Sequence, residues 1–273
     1  MRVAILGSGP AGLMSAAAVC HAHDWTSNRY DINIFSANGK SSLYGAQYLH
    51  APIPGFTPEW STQSGSRLVD YRLTGSAEEY RLKVYGPMWD GTVSPEDLSE
   101  PHQAWDIRET YECLWEEFYP NVIEVRMDPS GMRNLVKGLT PFGEFDLVIN
   151  TIPRPALCTE GHQFKAQTIW ASGEAPDLGI ELDRFKCPEF TVLCNGEEHP
   201  SWYRLSNIFG HKTIEWPEET RPPIQAAQVT KPLKTNCDCW PTVLHVGRYG
   251  KWQKGVLTHH AYQEVLEHVK AEA

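Results

Sequence analysis

RVAILGSGPAGLMSAAAV, residues 2 to 19, decides the fold. Its first five residues are short, apolar and rich in branched side chains, as in a strand buried on both faces. An alanine-rich segment with no interior proline follows and predicts a helix from about Ala11 to Ala22. Between them Gly7, Gly9 and Gly12 stand in G-x-G-x-x-G spacing. Gly7 permits a tight turn, Gly9 lets the backbone approach a pyrophosphate, and Gly12 lets the helix pack closely on the strand. Ser8, Pro10 and Ala11 complete a helix start whose free N–H groups and positive dipole end favour phosphate. The expected ligand is a dinucleotide, NAD(P) or FAD.

DINIF (31–35) alternates and closes a βαβ unit with parallel pairing. Its end should carry an acidic residue for the adenosine ribose. Ser36 stands there instead, able to accept one ribose hydrogen bond but without the reach and charge of a carboxylate. Lys40 would suit a 2′-phosphate, and hence NADP, unless it is simply a solvated loop residue.

Further along, RLVDYRL (67–73) is strand-like, Ser76 with Glu79 reads as a helix cap, and 106–118 reads as a helix. NVIEV (121–125) and EFDLVINTIP (144–153) predict two more strands. FKAQTIWAS, EFTVLCNG, SWYRLSNI and HKTIEW are short, alternating and bounded by turn residues, the pattern of antiparallel strands. TVLHVG is a further strand, GRYGKWQKG a glycine turn, and VLTHHAYQEVLEHVKA a closing helix. HDWTSNRY (23–30) reads as a polar loop. The expected fold is α/β: a Rossmann-like FAD/NAD(P)-binding domain with a parallel sheet, plus an inserted antiparallel β-rich substrate domain. The segments 1–40, 106–155 and 240–273 would form the first, and 41–105 with 156–239 a substrate or cap region.

The 273 residues suffice for one large domain or two small ones. A formal net charge of -10 and the lack of a basic, aromatic-interleaved stripe argue against nucleic acid or an anionic membrane as partner. No apolar run reaches the roughly 18 residues of a membrane span, and the first run is broken too early for a signal peptide. A cytoplasmic protein is expected, acting on a small-molecule substrate. Seven cysteines, odd in number and mostly scattered, suit reduced thiols. Cys237 and Cys239 lie two apart, and Cys187 with Cys194 could complete four ligands, but the spacing matches no standard zinc pattern, and no metal is expected.

Three places resemble the glutathione-reductase-type FAD-dependent oxidoreductases. GSGPAGLMSA is the first. FDLVINTIPRP is similar to that family's mid-chain strand and turn, with Thr151-Ile152-Pro153 where the family has Ala-Thr-Gly. VLHVGRYGKWQKGVLTHHAYQEV is similar to the C-terminal flavin segment of UDP-galactopyranose mutases and amine-oxidase-like flavoproteins; short phage-type flavoproteins look alike too. The resemblance implies that Thr151 and Pro153 lie near the cofactor. It also implies that Gly247, Arg248, Tyr249 and Gly250 lie beside the FAD pyrophosphate and ribityl chain, with the last helix aimed at the flavin. That return of the chain's end favours FAD over NAD.

In SSLYGAQYLHAPIPG (41–55), Gln47 and His50 are the polar members of an apolar loop, either flavin or substrate contacts, or a turn cap and a loop histidine. Arg204, on a presumed hairpin, could clamp a substrate anion or pair with a neighbouring acid such as Glu215. His259 and His260 face different directions, which disfavours a shared metal. There is no H-E-x-x-H, G-x-S-x-G or P-loop lysine. With no second G-x-G-x-x-G, the expectation is an FAD-dependent oxidoreductase passing a hydride between a small polar substrate and flavin. A redox-neutral mutase using Arg204 with Arg154 or Arg248, or a non-catalytic FAD-binding protein, are the alternatives.

Overall fold

The computed structural model describes residues 1–22, 30–45, 47–57, 67–87, 89, 91–173, 187–199 and 201–272; most of the 23–30 loop lies outside them. Strands β1 (Arg2–Leu6), β2 (Asp31–Ser36), β5 (Val122–Glu124), β6 (Leu147–Asn150) and β12 (Leu244–His245) form a sheet in the order β12-β6-β1-β2-β5. Every pair in it is parallel. The apolar run at the N-terminus becomes the central strand because both its faces are covered. Val3 and Ile5 face helices α1 (Pro10–Ala22), α3 (Ile107–Phe118) and α6 (His260–Ala271). Ala4 and Leu6 face Met132 and Leu135 of α4 (Pro129–Val136). Residues 12 to 19 of α1 are all buried, and their small side chains let α1 pack against the sheet, α3 and α6 together.

The chain leaves β1 for β2 on one side and returns to β6 on the other. The crevice between β1 and β6, at the carboxyl ends of the strands, is where open parallel sheets bind ligands.

A second sheet runs β11-β7-β10-β9-β8-β3-β4. Its strands are β3 (Arg67–Gly75), β4 (His102–Ala104), β7 (Phe164–Ala171), β8 (Thr191–Gly196), β9 (Arg204–Ile208), β10 (His211–Pro217) and β11 (Ala227–Thr235). It is mixed rather than purely antiparallel, because β3 pairs parallel with β8. Tyr80 and Val84 of α2 (Ala77–Tyr85) cover one face, and Ser76 caps that helix onto the Glu79 N–H as its sequence predicts.

Two local expectations need correction, and one helix was not expected. The expected glycine turn GRYG is a short helix, α5 (Gly247–Lys251), set off β12 by Gly247 at φ +68°. The closing helix starts at His260 rather than Val256. α4 had no counterpart in the sequence reading, although Asp128 caps it and Pro129 opens it. No described helix is long and apolar enough to cross a membrane.

Candidate functional site

Gly7 leaves β1 at φ +104°, backbone that side chains avoid, and a Cβ there would stand 2.6 Å from Thr151 Oγ1. At Gly12 a Cβ would lie 1.9 Å from the Gly7 carbonyl oxygen. The protein's own packing therefore requires both glycines. Gly9 differs: a Cβ would meet only Ser41 Oγ, at 3.6 Å, an ordinary contact. The first turn of α1 carries no acidic residue, so its positive end is left for an anion.

Two distant segments close on this turn. Thr151 donates from its N–H (3.0 Å) and its hydroxyl (2.7 Å) to the Leu6 carbonyl, fixing the end of β6 to the end of β1. Gly247 packs on α1, where a Cβ would be 2.8 Å from Ala11 Cβ, and Gly250 packs on β6, where a Cβ would be 2.1 Å from the Asn150 carbonyl oxygen. Beyond them the chain ties to the second sheet: Tyr249 OH donates to the Thr230 carbonyl (2.8 Å) and Trp252 Nε1 to that of Lys165 (3.0 Å). Arg248 Nε is buried with no hydrogen-bond partner among the described residues, a donor that a bound anion would satisfy.

The buried Ser36 hydroxyl shares a 2.6 Å hydrogen bond with Ser8 Oγ, and Ser8 donates to the Gly39 carbonyl at 2.7 Å, so both serines hold the turn after β2. Tyr111, which the sequence reading missed, locks the same region by donating to the Ser8 carbonyl and accepting from the Ser41 N–H, both at 2.9 Å. The neighbouring strand brings a carboxylate to this end of the sheet: Glu124 is in register with Ser36 and lies over Gly39. Lys40 pairs with Glu112. Gln47 caps a turn, donating to the Tyr44 carbonyl at 2.5 Å. Pro153 precedes the 3-10 turn Arg154–Ala156.

Of the two readings of Arg204, the structure has the pairing. Its guanidinium forks onto the buried Glu215, with Nε to Oε1 at 2.9 Å and Nη2 to Oε2 at 2.7 Å. Lys231, on β11, adds a second cation, with Nζ 2.8 Å from both Glu215 Oε2 and Tyr203 OH, and Tyr203 OH donates to Glu215. Burial works to raise the Glu215 pKa, yet Arg204 and Lys231 hold it well below the ordinary carboxylate range. Burial, with Arg204 and Arg248 nearby, brings Lys231 down to about 7 against the pull of Glu215. Gly45 carries the 41–55 loop over this cluster, since a Cβ there would be 2.6 Å from Glu215 Oε1.

No protein-family model matches the sequence, and no curated protein does. Solved structures do. A flavin-dependent halogenase from Brevundimonas sp. BAL3 superposes with a TM-score of 0.50 at 13% identity, over 99% of this chain and 71% of its own. A tryptophan 6-halogenase from Streptomyces toxytricini gives 0.54 at 11%, over 98% and 71%. A tryptophan halogenase from Shewanella frigidimarina NCIMB 400 gives 0.54 at 10%, over 99% and 70%. This chain has the fold of the flavin-dependent halogenases.

Within that fold His50 stacks on Tyr48 (ring centroids 4.5 Å apart) and lies 5.9 Å from the His102 ring and 6.1 Å from that of His259. His259 and His260, expected to face apart, are in edge contact at 4.5 Å. Burial first, and then the neighbouring imidazoles, lowers both His50 and His259 to about 4. Both rings are neutral in the folded protein at neutral pH. As pH falls from about 6.5 to about 4 the unfolded chain takes up protons that these rings refuse, so stability drops across that window, by about 1–2 kcal/mol per ring. Urea midpoints measured from pH 7.5 to 4 should show the drop, and a His50→Gln/His259→Gln protein should show a shallower one. Parallel profiles would contradict this account.

Proposed function

We propose that the chain is an FAD-dependent oxidoreductase acting on a small polar molecule. The observation that carries this is the closure of one glycine cradle by both ends of the chain, Gly247 on Ala11 and Gly250 on β6. A ligand confined to the first βα turn gives the last strand and helix no reason to return there. In this reading Gly7, Gly9 and Gly12 take the pyrophosphate, and Arg248 with the turn around it takes the chain between phosphate and ring. The adenosine ribose falls to the end of β2, where Glu124 supplies the carboxylate that Ser36 does not.

FAD, when bound, supplies an electron-accepting ring. The protein's part is to place a substrate against that ring and to exclude water from it. His50 in its apolar loop and the start of α6 are the groups we assign to that side; the helix start favours negative charge on the ring. The halogenases of like fold support flavin chemistry in general. A redox-neutral mutase is favoured less, because Arg204, one of its three candidate arginines, is committed to Glu215.

The test is direct. The purified protein should be yellow and release FAD on denaturation. A colourless protein that binds only NAD(P) would overturn the assignment. With FAD confirmed, anaerobic bleaching by one member of a panel of amines, amino acids and sugar nucleotides supports a substrate-reduced enzyme. Rapid bleaching by NAD(P)H alone overturns that part.

A further inference from the structure

Where the chain crosses between the two sheets, four metal-ligating side chains converge. Residues 151–163 lead from β6 to β7, and residues 236–243 lead back from β11 to β12. Cys158 and His162 come from the first crossing, Cys237 and Cys239 from the second, and their ligand atoms all lie within 4.8 Å of one another. Cys158 Sγ is 3.9 Å from Cys239 Sγ, and His162 Nδ1 is 3.4 Å from Cys158 Sγ and 3.5 Å from Cys239 Sγ. Around a tetrahedral zinc with its ordinary bond lengths the edges are about 3.8 Å for two sulfurs and about 3.5 Å for sulfur and nitrogen. Both cysteines of the second crossing are buried.

The groups behind the ligands fit as well. The other ring nitrogen of His162, Nε2, faces two carboxylates, Asp238 Oδ1 at 3.4 Å and Glu160 Oε2 at 3.6 Å. An acidic partner on the far nitrogen is what orients metal-bound imidazoles. Thr159 Oγ1 lies 3.4 Å from Cys239 Sγ. Trp240 Nε1 donates to the Leu157 carbonyl at 2.7 Å and Thr235 Oγ1 to that of Gln163 at 2.8 Å, so the two crossings are already zipped on either side of the cluster.

We propose that Cys158, His162, Cys237 and Cys239 bind a structural zinc ion that clamps the second sheet to the parallel one. Three thiolates and an imidazole, of which Cys158, Cys239 and His162 already stand at tetrahedral spacing, select zinc over harder cations, and four protein ligands leave no open position for catalysis. From spacing alone no metal is expected, and Cys187 and Cys194 are the further ligands on offer; those two sit on the second sheet instead, Cys194 in β8 and Cys187 bonded to Thr191. The site makes no use of the flavin assignment.

The test begins with the full-length protein purified without chelator and analysed for metals. Stoichiometric zinc is expected. Exchange for Co²⁺ should give the visible bands of tetrahedral cobalt with near-ultraviolet thiolate charge transfer. Cys239→Ser should reduce zinc to background while any flavin content persists. Should that variant fail to fold, His162→Cys provides the second arm: it should keep the metal and shift the cobalt bands. In alkylation of the protein stripped by a chelator, with and without Zn²⁺ restored, the half-buried Cys158 should be protected only with the metal. Metal-free protein whose alkylation Zn²⁺ does not change, or a Cys158–Cys239 disulfide in the purified protein, would overturn the proposal.

Discussion

Gly9→Ala is expected to leave the fold intact and to remove most of the affinity for FAD. Gly9 is not at positive φ, and the added methyl would touch only Ser41 Oγ, at 3.6 Å. Its carbonyl begins α1, accepting from the Gly12 and Leu13 N–H groups, and an alanine keeps both bonds. Loss of stability should stay below about 1 kcal/mol, the scale of an unfavourable residue at a helix start. The same methyl would stand where a phosphate must reach the backbone, and overpacking there should weaken binding by about 10- to 100-fold. Gly12→Ala makes the contrast. Its methyl would collide with the Gly7 carbonyl, so stability should fall by about 3 kcal/mol or more, and binding with it. Titration of the apoprotein with FAD and urea unfolding of both variants separate the two effects. Unchanged binding by Gly9→Ala would mean that this turn does not face a phosphate.

The legible parts of the fold were those fixed by local pattern. β1, the glycine turn and α1 are contiguous, and each carries its own signal: a continuous apolar run, glycines at fixed offsets, and alanines without proline. The Arg204–Glu215 pair was legible for a similar reason, since a hairpin places residues at that separation on one face. Lys231 was not. It sits in AQVTKPLKT, where Pro232 and the polar residues carry no clear strand pattern, and only the pairing of β11 with β7 brings it to Glu215. The four convergent Cys and His side chains were hidden by distance along the chain: Cys158 and Cys239 are 81 residues apart, and neither crossing holds a recognisable ligand motif. His50 and His259 meet only because the loop after β2 and the start of α6 converge. What sequence could not supply was, in each case, the partner from a remote strand or loop.

The largest effect on stability is expected at Glu215. Its carboxylate is buried and accepts from Arg204, Lys231 and Tyr203, so Glu215→Gln would leave the Arg204 guanidinium in the interior without a counter-charge and Lys231 without the partner that favours its proton. Removing one partner of a buried ion pair costs about 3–5 kcal/mol, against a total of about 5–15 kcal/mol for an ordinary domain. Lys231→Met should be far milder, about 1 kcal/mol, because it removes the cation that burial already disfavours and leaves the Arg204 fork in place. The two variants should also differ in pH dependence. Lys231 releases its proton near pH 7 when folded and at an ordinary lysine value when unfolded. Between those values the unfolded chain holds a proton that the folded protein lacks, so this group makes stability rise with pH across the window. Urea unfolding from pH 7 to 10 should show that rise in the parent and a flatter profile in Lys231→Met. A Glu215→Gln protein as stable as the parent, or a Lys231→Met profile parallel to it, would show that the three charges do not act as one unit.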